Sequence, residues 1–169
     1  LMPPAAQAQT STPPVAVRAL LNAMTPEEKV GQLFLVSFNG TDTGVDSQIY
    51  NLITRYHVGG VVLSIENDNF SANALAGAHQ LTGDLQRMEW SHSINAASTT
   101  DPAAGQTAMP VYVPLFVGIA QEGDGYPGDQ ILNGLTPLPS GMAIGATWNP
   151  SFAERVGEVR GRELAALGF

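Results

Sequence analysis

Three carboxylates fall in one short polar stretch, Gln121-Glu122-Gly123-Asp124-Gly125-Tyr126-Pro127-Gly128-Asp129. Two carboxyl groups held about 5 Å apart can act as nucleophile and acid/base on a glycosidic bond. Singly, they can accept hydrogen bonds from a hydroxylated ligand. Each also has a plainer role. Glu122 could brace the loop through backbone or arginine contacts, and Asp124 and Asp129 could be turn-forming aspartates beside glycine. The other chemically versatile side chains are scattered. His57, His79 and His92 lack metal-ligand spacing. His57 fits the end of a helix, where its charge is favoured; His79 falls on a helix and His92 in a polar loop. Trp148 could stack on a sugar or pack at a helix start. Cysteine is absent, so thiolate zinc sites, thiol nucleophiles and disulfides are excluded. There is no Walker loop, GxGxxG or HExxH. No cofactor and no metal are expected.

The carboxylate stretch follows the apolar run Val113–Ile119, and in α/β proteins ligands bind beyond the carboxyl ends of parallel strands. The other elements repeat that pattern. Helices are predicted over Val15–Ala23 and from a capping box at Thr25-Pro26-Glu27-Glu28. Leu35–Phe38 and Val61–Leu63 read as strands, the second buried on both faces. Val45, Ile49, Leu52, Ile53 and Tyr56 line one helix, and Leu75, Ala78, Leu81, Leu85 and Met88 another. Ser91–Met109 reads as a polar loop and Met142–Ala146 as a short strand or extended crossing. Asn149-Pro150 starts a last helix whose buried stripe would be Phe152, Val156, Val159, Leu164 and Leu167, with Glu158 and Arg162 paired outside. The alternation predicts an α/β fold with a parallel sheet.

The chain has 169 residues, 44% hydrophobic and 13% charged, with a net charge of −8. That suits one domain or part of one, and disfavours nucleic acid and anionic membranes as partners. No apolar run approaches the roughly 20 residues of a membrane span. Residues 1–14 read as a disordered tail or the remnant of a secretory signal, with Ala6-Gln7-Ala8 as its cleavage-site pattern. A secreted or periplasmic protein is therefore expected. Asn39-Gly40-Thr41 and Asn69-Phe70-Ser71 fit the glycosylation sequon.

Several separated motifs resemble glycoside hydrolase family 3, in its β-N-acetylhexosaminidase branch. They are Met24-Thr25-Pro26-Glu27-Glu28-Lys29-Val30-Gly31-Gln32-Leu33, Tyr56-His57-Val58-Gly59-Gly60-Val61-Val62-Leu63, Gln121-Glu122-Gly123, Leu138-Pro139-Ser140 and Gly145-Ala146-Thr147. The resemblance runs from about Leu20 to Phe169. It implies that residues 15–169 form the first half of a TIM-type (β/α) barrel, a fold of about 250 residues when whole. It also implies a retaining, exo-acting enzyme for β-linked sugars, plausibly terminal N-acetylglucosamine. The family's nucleophile and the branch's His/Asp acid/base pair would lie beyond Phe169. No residue here is therefore expected to be catalytic, and the segment is expected to be inactive alone. Glu122, Asp124 and Asp129 are the expected substrate-binding residues. Where the family has a sugar-binding aspartate before its QEG triplet this chain has Ala120, and the glycine after the triplet is Asp124. The alternative is a non-catalytic half-barrel that binds carbohydrate or a partner chain. Either way, two open sheet edges and an apolar inner face predict self-association, pairing with the missing half, or cover from the chain's own segments.

Overall fold

The computed structural model describes residues 13–70, 75–98 and 111–169. The elements run α1 (Val15–Ala23), α2 (Pro26–Gly31), β1 (Leu35–Val36), α3 (Gln48–Thr54), β2 (Gly60–Leu63), α4 (Leu75–Ser98), β3 (Phe116–Ile119), α5 (Gly141–Ala146) and α6 (Pro150–Leu167). The three strands form one parallel sheet in the order β1-β2-β3. Spatial order equals chain order. That is how successive strands of a (β/α) barrel are laid out, and a doubly wound sheet would reverse direction at a switch point.

Local signals account for the helix starts. The Thr25 hydroxyl accepts from Glu28 N at 3.2 Å, and Glu28 Oε2 accepts from Thr25 N at 2.7 Å. Ser47 caps α3, accepting from Tyr50 N at 3.2 Å, so Val45 lies before that helix and is 67% exposed. Asn149 caps α6, accepting from Ser151 N at 3.1 Å.

The register separates the sheet's two faces. Val36, Val61 and Val117 align in one row, and Leu63 aligns with Ile119. This face packs on Phe38, Ile49, Ile53, Ala78, Leu81 and Leu85 to form the core. The other face carries Leu35, Gly60, Val62, Phe116 and Gly118. Val62 is 39% exposed and Phe116 64%, so β2 is covered on one face only and not on both.

Both flanking strands are shorter than the sequence predicts. Before β3, Pro114 has no N–H to give a ladder. Gln86 of α4 then takes the backbone of Leu115, donating to its carbonyl at 2.7 Å and accepting from its N–H at 3.1 Å. After β1, Phe38 turns into the core and its carbonyl accepts from Asn69 Nδ2 at 2.9 Å.

Four further expectations are corrected. Residues 91–98 continue α4, so His92 is helical; residues 99–110 of the expected loop lie outside the described residues. Met142–Ala146 belongs to helix α5, because Ser140 caps it and accepts from Ala143 N at 3.2 Å. The α6 stripe is only half-buried: Val156, Val159, Leu164 and Leu167 are partly covered, and Phe152 is 44% exposed. That helix meets α4 and α5, anchored at its end where Thr82 Oγ1 donates to the Leu167 carbonyl at 2.6 Å. Asn69 is fully buried and donates to the carbonyls of Phe38 and Gly40, so its side chain is unavailable as a sequon acceptor. The predicted Glu158–Arg162 pair is present at 3.5 Å on the exposed face.

Within α4, Glu89 accepts from the Ser93 hydroxyl at 3.1 Å. Its carboxyl is held above the ordinary range by desolvation, with the Glu28 charge adding and the Ser93 bond opposing. A raised folded-state pKa means that the ionised form destabilises the fold above that pKa and that the penalty fades as pH falls through it. Glu89→Gln is therefore expected to raise the urea midpoint at about pH 7. It should leave it nearly unchanged at about pH 3, where the carboxyl is protonated in both states.

Candidate functional site

The loop after β3 is built around Asp129. Its Oδ1 accepts from Gly123 N at 2.6 Å and its Oδ2 from Gly125 N at 2.8 Å. Gly123 and Gly125 have φ of +101° and +81°, which few residues other than glycine adopt. An antiparallel bridge joins Gln121 to Asp129, and Glu122 N donates to the Gly128 carbonyl at 3.0 Å. Gln121 closes the loop's base, its amide bonding both the N–H and the carbonyl of Ile131 at 3.0 Å. The result is a short, cross-braced finger at the carboxyl end of β3.

Arg160 of α6, which sequence reading did not select, holds the finger from below. Its Nη1 donates to the Gln121 carbonyl at 2.7 Å and lies 3.9 Å from Asp129 Oδ1. Its guanidinium also lies under Gly123, where an added Cβ would come within 2.9 Å of Nη2. The small cavity here, about 180 Å³, is lined by Gln121, Gly123, Asp129, Arg160 and Glu163 among others. It is below the usual size of a ligand pocket and forms the underside of the finger.

The three sequence-selected carboxylates thus divide. Asp129 is buried and engaged with two backbone amides. Glu122 and Asp124 are exposed. The Glu122 carboxylate lies over Gly128, and that of Asp124 near Gly141 at the start of α5. Both sit at the carboxyl end of the sheet. The loop after β2 meets them there through Gln130, whose Oε1 accepts from Ile65 N at 2.8 Å. Glu66 follows Ile65 in that loop, and its carboxyl is held below the usual range by its own backbone N–H and then by Tyr126. Glu66 was missed because nothing in Ser64-Ile65-Glu66-Asn67 marks it out. Tyr126, set among glycines and Pro127, was the available signal.

The histidines lie elsewhere. His57 follows α3 in a left-handed conformation, and its ring is 5.9 Å from that of His92. Desolvation, and then His57, lower the His92 pKa against the pull of Glu28. His57 precedes β2 and His92 lies in α4, which leads back toward β3, so the pair sits at the amino end. The large open cleft of about 660 Å³ is at the same end, lined by Pro26, Val30, Phe34, Leu52, Tyr56 and Val58 among others. Its exposed surface is mostly apolar, although Glu27, Arg55 and His57 are among the lining residues. The carboxyl end is the better candidate, on chemistry rather than size. Trp148 is 93% exposed, so it packs in no core.

No curated protein matches the chain. Among solved structures, it is similar to a glycoside hydrolase family 3 β-N-acetylglucosaminidase from Paenibacillus sp. str. FPU-7, with 29% identity and a TM-score of 0.65. The match covers 86% of this chain and 23% of that one, so this chain spans under a quarter of its relative's length. Residues 25–169 match the Glycosyl hydrolase family 3 N terminal domain. That match takes in the capping box, the parallel strands and the braced finger alike, and by it the chain belongs to glycoside hydrolase family 3.

Proposed function

We propose that this chain supplies part of the sugar-binding wall of a retaining, exo-acting β-glycoside hydrolase, and that the sugar is terminal β-linked N-acetylglucosamine. The observation that carries the reading is the finger itself. It presents Glu122 and Asp124, both exposed, on a rigid base at the carboxyl end of parallel strands, where (β/α) folds place their sites. Carboxylates accept charge-assisted hydrogen bonds from sugar hydroxyls. Asp129 acts from beneath, by holding the finger in shape. The choice of sugar is supported by the activity of the Paenibacillus relative.

The 169 residues by themselves are proposed not to hydrolyse glycosides. Retaining chemistry requires two positioned carboxyl groups, or a nucleophile facing another acid/base partner. Here one of the three is committed to backbone amides, and the other two lie over different neighbours, Gly128 and Gly141. The second reading, a half-barrel that binds sugar or a partner chain without catalysis, is favoured by the exposed apolar residues Leu35, Val62 and Phe116 on one face of the sheet.

Calorimetric titration with N-acetylglucosamine and an assay on an aryl β-N-acetylglucosaminide test both. The sugar is expected to bind, with Glu122→Gln and Asp124→Asn each weakening it about tenfold, and no aryl group should be released. Turnover that vanishes in Glu122→Gln would overturn the proposal of inactivity. Binding unchanged in both variants would overturn the site.

A further inference from the structure

Trp148 stands at the corner between two helices. It follows the cap of α5, and Asn149 behind it caps α6. Its N–H donates to the Gly145 carbonyl at 3.1 Å, and its φ is +53°. Glycine is the usual residue just past a helix cap, because left-handed backbone strains any side chain. Here the position carries a tryptophan that is 93% exposed. Packing therefore does not offset the strain. Backbone strain of this kind gathers where ligands are held. Trp90 is the contrast, packed edge-on against Tyr112 with ring centroids 4.8 Å apart.

The corner is fixed from both sides. The Thr147 hydroxyl donates to the Ile144 carbonyl at 2.7 Å and accepts from Asn149 N at 3.2 Å. Asn149 Oδ1 accepts from the N–H and the hydroxyl of Ser151, at 3.1 and 2.8 Å. The indole thus presents open faces on a base that need not reorganise, which lowers the cost of binding. The corner is also close to the finger. Asp124 Oδ2 lies 4.0 Å from where a Cβ on Gly141 would stand, at the first residue of α5. Six residues make up α5, so it is about 9 Å long. A ligand held at Asp124 reaches Trp148 by extending along one short helix.

We propose that Trp148 is a stacking plate for the second sugar of an oligosaccharide whose terminal unit lies on the finger. This rests on the reading of the carboxyl end as a sugar site. One face of a pyranose is lined by C–H groups, and laying it on an open indole removes apolar surface of both from water. The plate selects for chain length: it adds affinity for a β-linked disaccharide and none for the single sugar.

Titration with N-acetylglucosamine and with N,N′-diacetylchitobiose tests this. The sequence has two tryptophans, so in Trp90→Phe the emission reads Trp148, while the Gly123 and Gly125 amides of ¹⁵N-labelled protein read the finger. The disaccharide is expected to bind about fivefold more tightly than the single sugar, to shift the emission to the blue and to move both amides. The single sugar should move the amides only. Trp148→Gly should remove the fivefold advantage and leave the single sugar's Kd unchanged, and Trp148→Tyr should keep most of it. Trp148→Gly should also raise the urea midpoint, because glycine relieves the strain. An advantage that is absent from the unaltered protein, or that survives Trp148→Gly, would overturn the plate while the finger stands. A lowered urea midpoint in Trp148→Gly would make Trp148 a structural residue, and the plate would fail. Amides that neither sugar moves would remove the finger reading and the plate together.

Discussion

Asp129→Ala is expected to cost about 3–4 kcal/mol and to abolish sugar binding. Each hydrogen bond to a buried carboxylate contributes about 1.5–3 kcal/mol, and Asp129 makes two, to Gly123 N and Gly125 N. Its side chain is 11% exposed, so solvent screens these bonds little. The substitution also leaves Arg160 facing a cavity, with the Gln121 carbonyl as its hydrogen-bond partner among the described residues. With both glycines held in left-handed backbone, nothing else in the finger compensates. Urea unfolding measures the loss, and hydrogen exchange at Gly123 and Gly125 localises it. Asp129→Asn, which keeps one acceptor oxygen, should fall between. A change below about 1 kcal/mol with both amides still protected would show that the finger stands without its central carboxylate.

Gly31→Ala is expected to cost about 3 kcal/mol or to prevent folding, by a wholly different route. A Cβ there would lie 2.2 Å from the Tyr56 carbonyl oxygen and 2.4 Å from that of His57. Gly59 is its counterpart, with a Cβ 2.3 Å from the Gln32 carbonyl oxygen, and Gly59 N donates to the Gly31 carbonyl at 3.0 Å. The end of α2 and the turn into β2 thus touch backbone to backbone. Overpacking costs about 1–3 kcal/mol where side chains can shift; here the obstacles are main chain and cannot. Gly83→Ala in α4 is the control. Open space surrounds that position, so alanine should stabilise the helix by about 0.5–1 kcal/mol. Equal effects of the two substitutions on the thermal midpoint would contradict the account.

The parts of this structure that are local in sequence were legible in it. The capping box at Thr25 and Glu28, the cap at Asn149 and the stripe of Ala78, Leu81 and Leu85 each depend on residues within a turn or two. The parallel order followed from the alternation of elements. What was missed depends on distant partners. Gln86 takes the backbone of Leu115 away from β3, and its sequence position gives no sign of this. The Ser140 cap was overlooked because the glycines in Gly141–Ala146 weaken a helical reading. The α6 stripe has the right periodicity, yet periodicity says which residues share a face and not how fully it is covered. At the candidate site, the sequence singles out the three carboxylates, but their division into one brace and two exposed groups rests on Gly123, Gly125 and Arg160 together. Arg160 is 39 residues from the carbonyl it holds, and Ile65 reaches Gln130 only because β2 and β3 are neighbours.

The central claim is that a sugar binds at the carboxyl end of the sheet, over the finger from Gln121 to Asp129. A crystal structure of the chain with N-acetylglucosamine tests it most directly. The account predicts the sugar with hydroxyls about 3 Å from the carboxylates of Glu122 or Asp124, and the finger unchanged beneath it. A sugar seated instead in the apolar cleft between Val30 and Tyr56 at the opposite end, with the finger empty, would contradict it.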